Sequence, residues 1–166
     1  REICTELVNE FREAGRRLAR EALAPPTGGS LSVRLDHGFA VTCQGCHLPT
    51  VRHEELVWVR ECDLEQEIVR YIGGPPPSSD ALLHHRVLSS RPDCGALVFA
   101  RTLTPIRLDG CRGIRWIPEM DGDILGLAHQ LLEMIDPPCG PIVVGRHAYL
   151  GLVRRRPHLR RQRRLH

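Results

Sequence analysis

A single-domain α/β/α sandwich with a mainly antiparallel central sheet is the fold class this chain predicts, and three observations carry it. One strongly amphipathic stretch opens the chain, short alternating apolar segments then follow in hairpin-like succession, and further helical patterns lie between and after them. No internal repeat or domain boundary interrupts the order. Residues 1–152 therefore read as one domain and residues 153–166 as an arginine-rich tail.

The elements follow in chain order. Ile3, Leu7, Phe11, Ala14, Leu18 and Ala22 recur at three- and four-residue spacing, which predicts a helix over 2–23 stopped by Pro25-Pro26. Segments 30–35 and 38–42 alternate about the turn-forming Asp36-His37-Gly38, which predicts a β-hairpin. Segments 56–59 and 67–71 read as two further strands. The run Gly73-Gly74-Pro75-Pro76-Pro77 then breaks the backbone ahead of a helix capped by Ser78 or Ser79 and ending near Ser90. A short apolar strand covers 96–99. Asp121 opens a helix with a buried stripe from Ile124 to Ile135, and closing strands are expected at 141–144 and 148–152.

Composition narrows the function classes. The chain has 166 residues, 42% hydrophobic and 26% charged, which suits one domain with a real core. No apolar run approaches a membrane span, and Arg1 to Glu6 lack the apolar run of a signal peptide, so the expected location is the cytoplasm with no membrane partner. All 23 Lys-plus-Arg positions are arginine, which rules out Schiff-base chemistry on a lysine. The tail concentrates Arg154, Arg155, Arg156, Arg160, Arg161, Arg163 and Arg164 without stacking aromatics or a nucleic-acid fold signature, which argues against a nucleic-acid partner. Seven cysteines, an odd number, argue for reduced thiols. Cys43-Gln44-Gly45-Cys46 has the spacing of a redox or metal pair, but no second pair answers it, and a structural role is the expectation.

The chemistry-bearing blocks are Thr27-Gly28-Gly29-Ser30-Leu31-Ser32-Val33-Arg34, Thr42-Cys43-Gln44-Gly45, Pro77-Ser78-Ser79-Asp80 with His84, Arg91-Pro92-Asp93 running to Phe99-Ala100-Arg101, and Gly145-Arg146-His147-Ala148. In order and spacing they resemble the class II aldolase/adducin family, specifically its phosphosugar aldolases of the fuculose-phosphate type, over about residues 5–152. The resemblance implies the same sandwich fold, a homo-oligomer (a tetramer by family analogy) and a small anionic ligand. It further implies that Gly28, Gly29, Ser30, Thr42, Gly45, Ser78 and Ser79 bind that ligand, since phosphate needs approachable backbone amides and short hydroxyl donors.

The family's zinc site is another matter. Its three histidine positions carry Phe99, Arg101 and His147, and its acid Glu position carries Asp80. Phe99 offers no ligand atom, and Arg101 offers no lone pair and repels a divalent cation. With only His147 retained, the expectation is no metal at that site and no cofactor.

Three readings stay open. In the first, Arg101, with Arg146 beside it, takes the place of zinc before a substrate oxyanion, and Asp80 or His147 carries the proton in a metal-independent lyase reaction on a small phosphorylated or carboxylated compound. In the second, the chain is a non-catalytic, adducin-like module whose pocket Phe99 plugs. In the third, relocated ligands such as His84, His85 or Cys94 rebuild a zinc aldolase. Asp80 also reads as a simple helix cap and His84 as a buried structural histidine.

Overall fold

The computed structural model describes residues 3–103, 115–117, 142–144 and 148–154. Helix α1 spans Thr5–Arg20, and strands β1 (Gly29–Arg34) and β2 (Phe39–Thr42) form the predicted hairpin. Two short 3-10 turns, Leu48–Thr50 and His53–Glu55, lead into β3 (Leu56–Asp63) and β4 (Ile68–Ile72). Helix α2 (Ala81–Ser90) precedes β5 (Cys94–Arg101), and β6 (Arg115–Ile117), β7 (Ile142–Val144) and β8 (Ala148–Arg154) complete the sheet.

Among the described residues, eight strands form one sheet in the order β4-β3-β2-β1-β5-β8-β7-β6. The neighbours are antiparallel except for β6 and β7, which run parallel. A mainly antiparallel mixed α/β sheet is thus what the chain forms. Strand β6 was not expected from the sequence, where Arg115-Trp116-Ile117 lacks the continuous apolar run that marked β7. The helix expected over Asp121–Ile135 and most of the arginine-rich tail lie outside the described residues.

Helix α1 forms where predicted because Leu7, Val8, Phe11 and Leu18 share one buried face. Helix α2 is apolar on most sides, burying Leu82, Leu83, Val87 and Leu88, and packs on β5 and β3. Strand β1 is buried on both sides: Leu31 is 4% exposed, while Ser30 and Ser32, on the alternate face, are also fully buried. Two serines on a face where a strand normally carries aliphatic groups mean that something polar stands opposite them.

Candidate active site

That polar group is His84. Its Nδ1 lies 2.6 Å from Ser32 Oγ and its Nε2 lies 2.7 Å from Ser30 Oγ, and the ring is fully buried. Burial drives its pKa from 6.5 down to about 3, so the imidazole is neutral. Ser30 Oγ then donates to Asp80 Oδ2 at 3.1 Å.

The polarity of this chain follows from proton counting. If Ser30 spends its one proton on the Asp80 carboxylate, Nε2–H must donate to Ser30, and Nδ1 must accept from Ser32. All three donors then point toward Asp80.

Asp80 stands at the N-cap position of α2 but makes no side-chain cap bond; its carboxylate turns inward instead. The cap expectation fails for that reason. Ser78 does the local work, its hydroxyl accepting from Asp80 N at 3.2 Å. Burial raises the Asp80 carboxyl above its ordinary range, opposed by Arg101 and by the Ser30 and Ser78 hydrogen bonds. Arg101 NH2 approaches Asp80 Oδ1 at 3.5 Å, and the guanidinium also lies 5.5 Å over the Phe99 ring. Its side chain remains 62% exposed.

These groups border a polar cleft of about 140 Å³ lined by Thr27, Gly28, Gly29, Cys43, Gln44, Gly45, Ser78, Ser79, Asp80 and Arg101. Main-chain bonds lace its rim together. Arg101 N donates to Gly28 O at 2.6 Å, Ser78 N to Thr42 O at 3.0 Å and Gln44 N to Pro76 O at 3.0 Å. The Gln44 side chain accepts from Ser79 N at 2.8 Å.

Two glycines are required here. At Gly29 a Cβ would lie 2.5 Å from Phe99 O, so only glycine lets β1 meet β5 so closely. Gly45 holds φ +69 with open space where its Cβ would stand, a turn residue whose backbone stays accessible to a ligand.

Of the residues that sequence reasoning gave to the anion, Gly28, Gly29, Gly45, Ser78 and Ser79 line the cleft. Ser30 and Thr42 do not. Ser30 is committed to His84 and Asp80, and Thr42 Oγ1 accepts from Leu31 N at 3.2 Å. Both stand behind the wall as its support. Thr27 and Gln44 line the cleft without having been singled out, and the reach of Gln44 to Ser79 is invisible before the loops are brought together. Asp80 and Arg101 come together, while Arg146 and His147 lie outside the described residues.

The two β5 positions at which the resemblance expects zinc ligands, Phe99 and Arg101, offer no lone pair to a metal. Phe99 is 2% exposed and presents a ring, and Arg101 brings a fixed positive charge to the same face of β5. Phe99 is not among the residues that line the cleft. The relocated ligands do not converge either. Both His84 nitrogens are held by serines, His85 faces Phe39 at 6.4 Å, and Cys94 Sγ donates to Ala96 O.

The sequence matches the model of the Class II Aldolase and Adducin N-terminal domain over residues 9–146. The chain belongs to this family. It is 35% identical over 86 residues to a 5-methylthioribulose-1-phosphate/5-deoxyribulose-1-phosphate aldolase of Rhodospirillum rubrum, covering 52% of this chain and 36% of that protein. It is 32% identical over 97 residues to a methylthioribulose-1-phosphate dehydratase of Gluconacetobacter diazotrophicus, covering 58% and 45%. The matched stretch therefore spans less than half the length of either relative. In fold it is similar to L-fuculose-1-phosphate aldolase from Thermus thermophilus, with a TM-score of 0.63 at 21% identity over 86% of this chain and 77% of that one. Among the described residues no helix is long and apolar enough to cross a membrane.

Proposed function

We propose that this family member is a metal-independent lyase acting on a small phosphorylated compound of the sugar-phosphate class. The observation that carries the reading is the pairing of Arg101 with buried Asp80 in one wall of a cleft whose other walls are glycine and serine loops. The two aligned relatives, one named as an aldolase and one as a dehydratase, both act on a ketose phosphate by their names, which favours phosphate over carboxylate.

The division of labour follows from the chemistry of each wall. Backbone amides about Gly28, Gly29 and Gly45 and the hydroxyls of Ser78 and Ser79 suit the phosphate oxygens. In carbon–carbon cleavage or in dehydration beside a carbonyl, an electron pair moves onto the carbonyl oxygen and leaves an enolate. Arg101 is the group placed to face that oxygen, and a fixed cation there stabilises charge as it develops. Asp80 takes up the proton removed from the substrate, helped by a pKa that burial has raised toward the working range.

The Ser30–His84–Ser32 chain accommodates that event without a charged imidazole. Once protonated, Asp80 can donate to Ser30 Oγ, which also accepts from Nε2–H, and the imidazole keeps its proton and stays neutral. His147 is proposed as a second proton carrier and Arg146 as a second cation, and a homo-oligomer as the working form.

The test is turnover of ketose 1-phosphates followed by phosphorus NMR in chelator-treated protein. Loss of turnover in Asp80→Asn and Arg101→Ala, with binding of inorganic phosphate kept in Asp80→Asn, is the expected result. Absence of both turnover and phosphate binding in the wild-type protein would leave the adducin-like module as the reading.

A further inference from the structure

The proposed chemistry leaves a second cluster unused. Cys43, Cys46 and Glu55 bring two thiol sulfurs and a carboxylate oxygen within 4.8 Å of one another. The thiols are 7% and 4% exposed, and they come from a C-x-x-C turn.

We propose that these three side chains bind a soft divalent cation, zinc, at a site separate from the family's histidine positions. Buried cysteines on their own would be ordinary core residues, and both do pack in the core cluster. The carboxylate beside them is held by the capping box of the His53–Glu55 turn, and what that box does not require is that it stand against two thiols. Three acidic groups placed this close repel one another once charged, and a divalent cation turns that repulsion into coordination.

The framework is also prepared. Cys43 N donates to Glu55 O at 2.8 Å and Cys46 N to Cys43 O at 3.3 Å, so main-chain bonds fix all three residues relative to one another. The Glu55 carboxylate is oriented by Arg52, whose backbone N donates to Oε2 at 2.8 Å and whose Nε lies 3.4 Å from the same oxygen. Oε1 takes part in neither of these bonds. An outer partner that aims a ligand in this way is usual around metals.

In a tetrahedral zinc site, two sulfurs at ordinary bond length stand roughly 3.8 Å apart, so small side-chain rotations close the present spread. Two thiolates and one carboxylate select zinc over magnesium or calcium, which prefer all-oxygen shells. Binding releases the two thiol protons to solvent. Three protein ligands leave a fourth position for water, and Cys43 also lines the cleft.

The experiment uses reduced, chelator-treated wild-type chain, loaded with stoichiometric zinc chloride, desalted and measured by elemental analysis. A parallel sample takes cobalt(II) chloride and is read by absorbance. About one zinc per chain is expected, together with a thiolate-to-cobalt charge-transfer band. Cys46→Ser should lose both. The partly exposed ligand gives a second, isosteric variant whose fold is checked by circular dichroism: Glu55→Gln should weaken zinc at least tenfold and shift the cobalt spectrum, while Arg101→Ala leaves both unchanged. No retained zinc in the wild type, or equal retention in Cys46→Ser and wild type, overturns the site. So does a loss of two hydrogens in the mass, showing that the thiols close to a disulfide instead of binding the metal.

Discussion

Two clefts open at opposite ends of α2, and the larger is not the candidate active site. The wide one, about 430 Å³, is lined by Arg34, Arg60, His85 and Ser89 among others, and it offers two arginines and a histidine. Yet Arg34 is committed to the fold: it donates through Nε to Cys94 O and through NH2 to Arg91 O, both at 2.9 Å, and also to Leu88 O. Arg60 rests 4.5 Å over the Trp58 ring. The narrow cleft has one arginine, but Arg101 is largely exposed beside a buried carboxylate. What separates them is the cation's partner, main-chain carbonyls and a Trp ring in the wide cleft but a buried carboxylate in the narrow one, a property that neither cleft size nor residue counts report.

Substitutions at the two ends should separate accordingly. Asp80→Asn keeps the shape of the narrow cleft and removes its proton carrier, so ketose-phosphate turnover should fall by roughly two to four orders of magnitude. Arg101→Ala should cost about two to three orders, seen in kcat more than in KM if the cation acts on the developing oxyanion. An unchanged kcat in either variant would erase the distinction between the two clefts.

His84→Ala comes next. It leaves the Ser30 and Ser32 hydroxyls without their buried partner and opens a void, at a cost of about 2–4 kcal/mol by urea denaturation. Its pH signature is specific. A folded pKa near 3 against 6.5 means His84 contributes stability above pH 6.5 that is lost as pH falls toward 3. Wild type should therefore lose about 3 kcal/mol from this group between pH 7 and pH 4, a loss absent from His84→Gln.

Arg34→Ala should cost about 1–3 kcal/mol of stability through orphaned carbonyls and leave kcat intact. Arg60→Ala, the mildest change, should move stability by less than about 0.5 kcal/mol and catalysis not at all. A phosphate-binding defect in Arg60→Ala would promote the wide cleft to a ligand site.

Much of the fold was legible because the elements obey their periods. The stripe from Leu7 to Leu18 yields α1, though it frays to Thr5–Arg20, and alternation about Asp36-His37-Gly38 yields the first hairpin. Strand β3 runs on to Asp63, further than its apolar core, because pairing with β4 satisfies the backbone of Glu61, Cys62 and Asp63 whatever their side chains. At the site, the residue types at Asp80 and Arg101 could be read, but not their partnership, which depends on β1, α2 and β5 meeting. Ser30 and Thr42 looked like ligand donors because sequence shows a hydroxyl and not its direction. Their burial beside His84 and Leu31 is a product of register.

The rim of the narrow cleft is joined largely through main-chain atoms, by bonds such as Arg101 N to Gly28 O and Ser78 N to Thr42 O. Apart from glycine and Gln44, those bonds do not depend on which side chain a residue presents to the cleft. Phe99 and Arg101 present their side chains from a strand that those bonds hold by its backbone, so a substitution at either is expected to change the chemistry of the cleft before it changes the places of the loops.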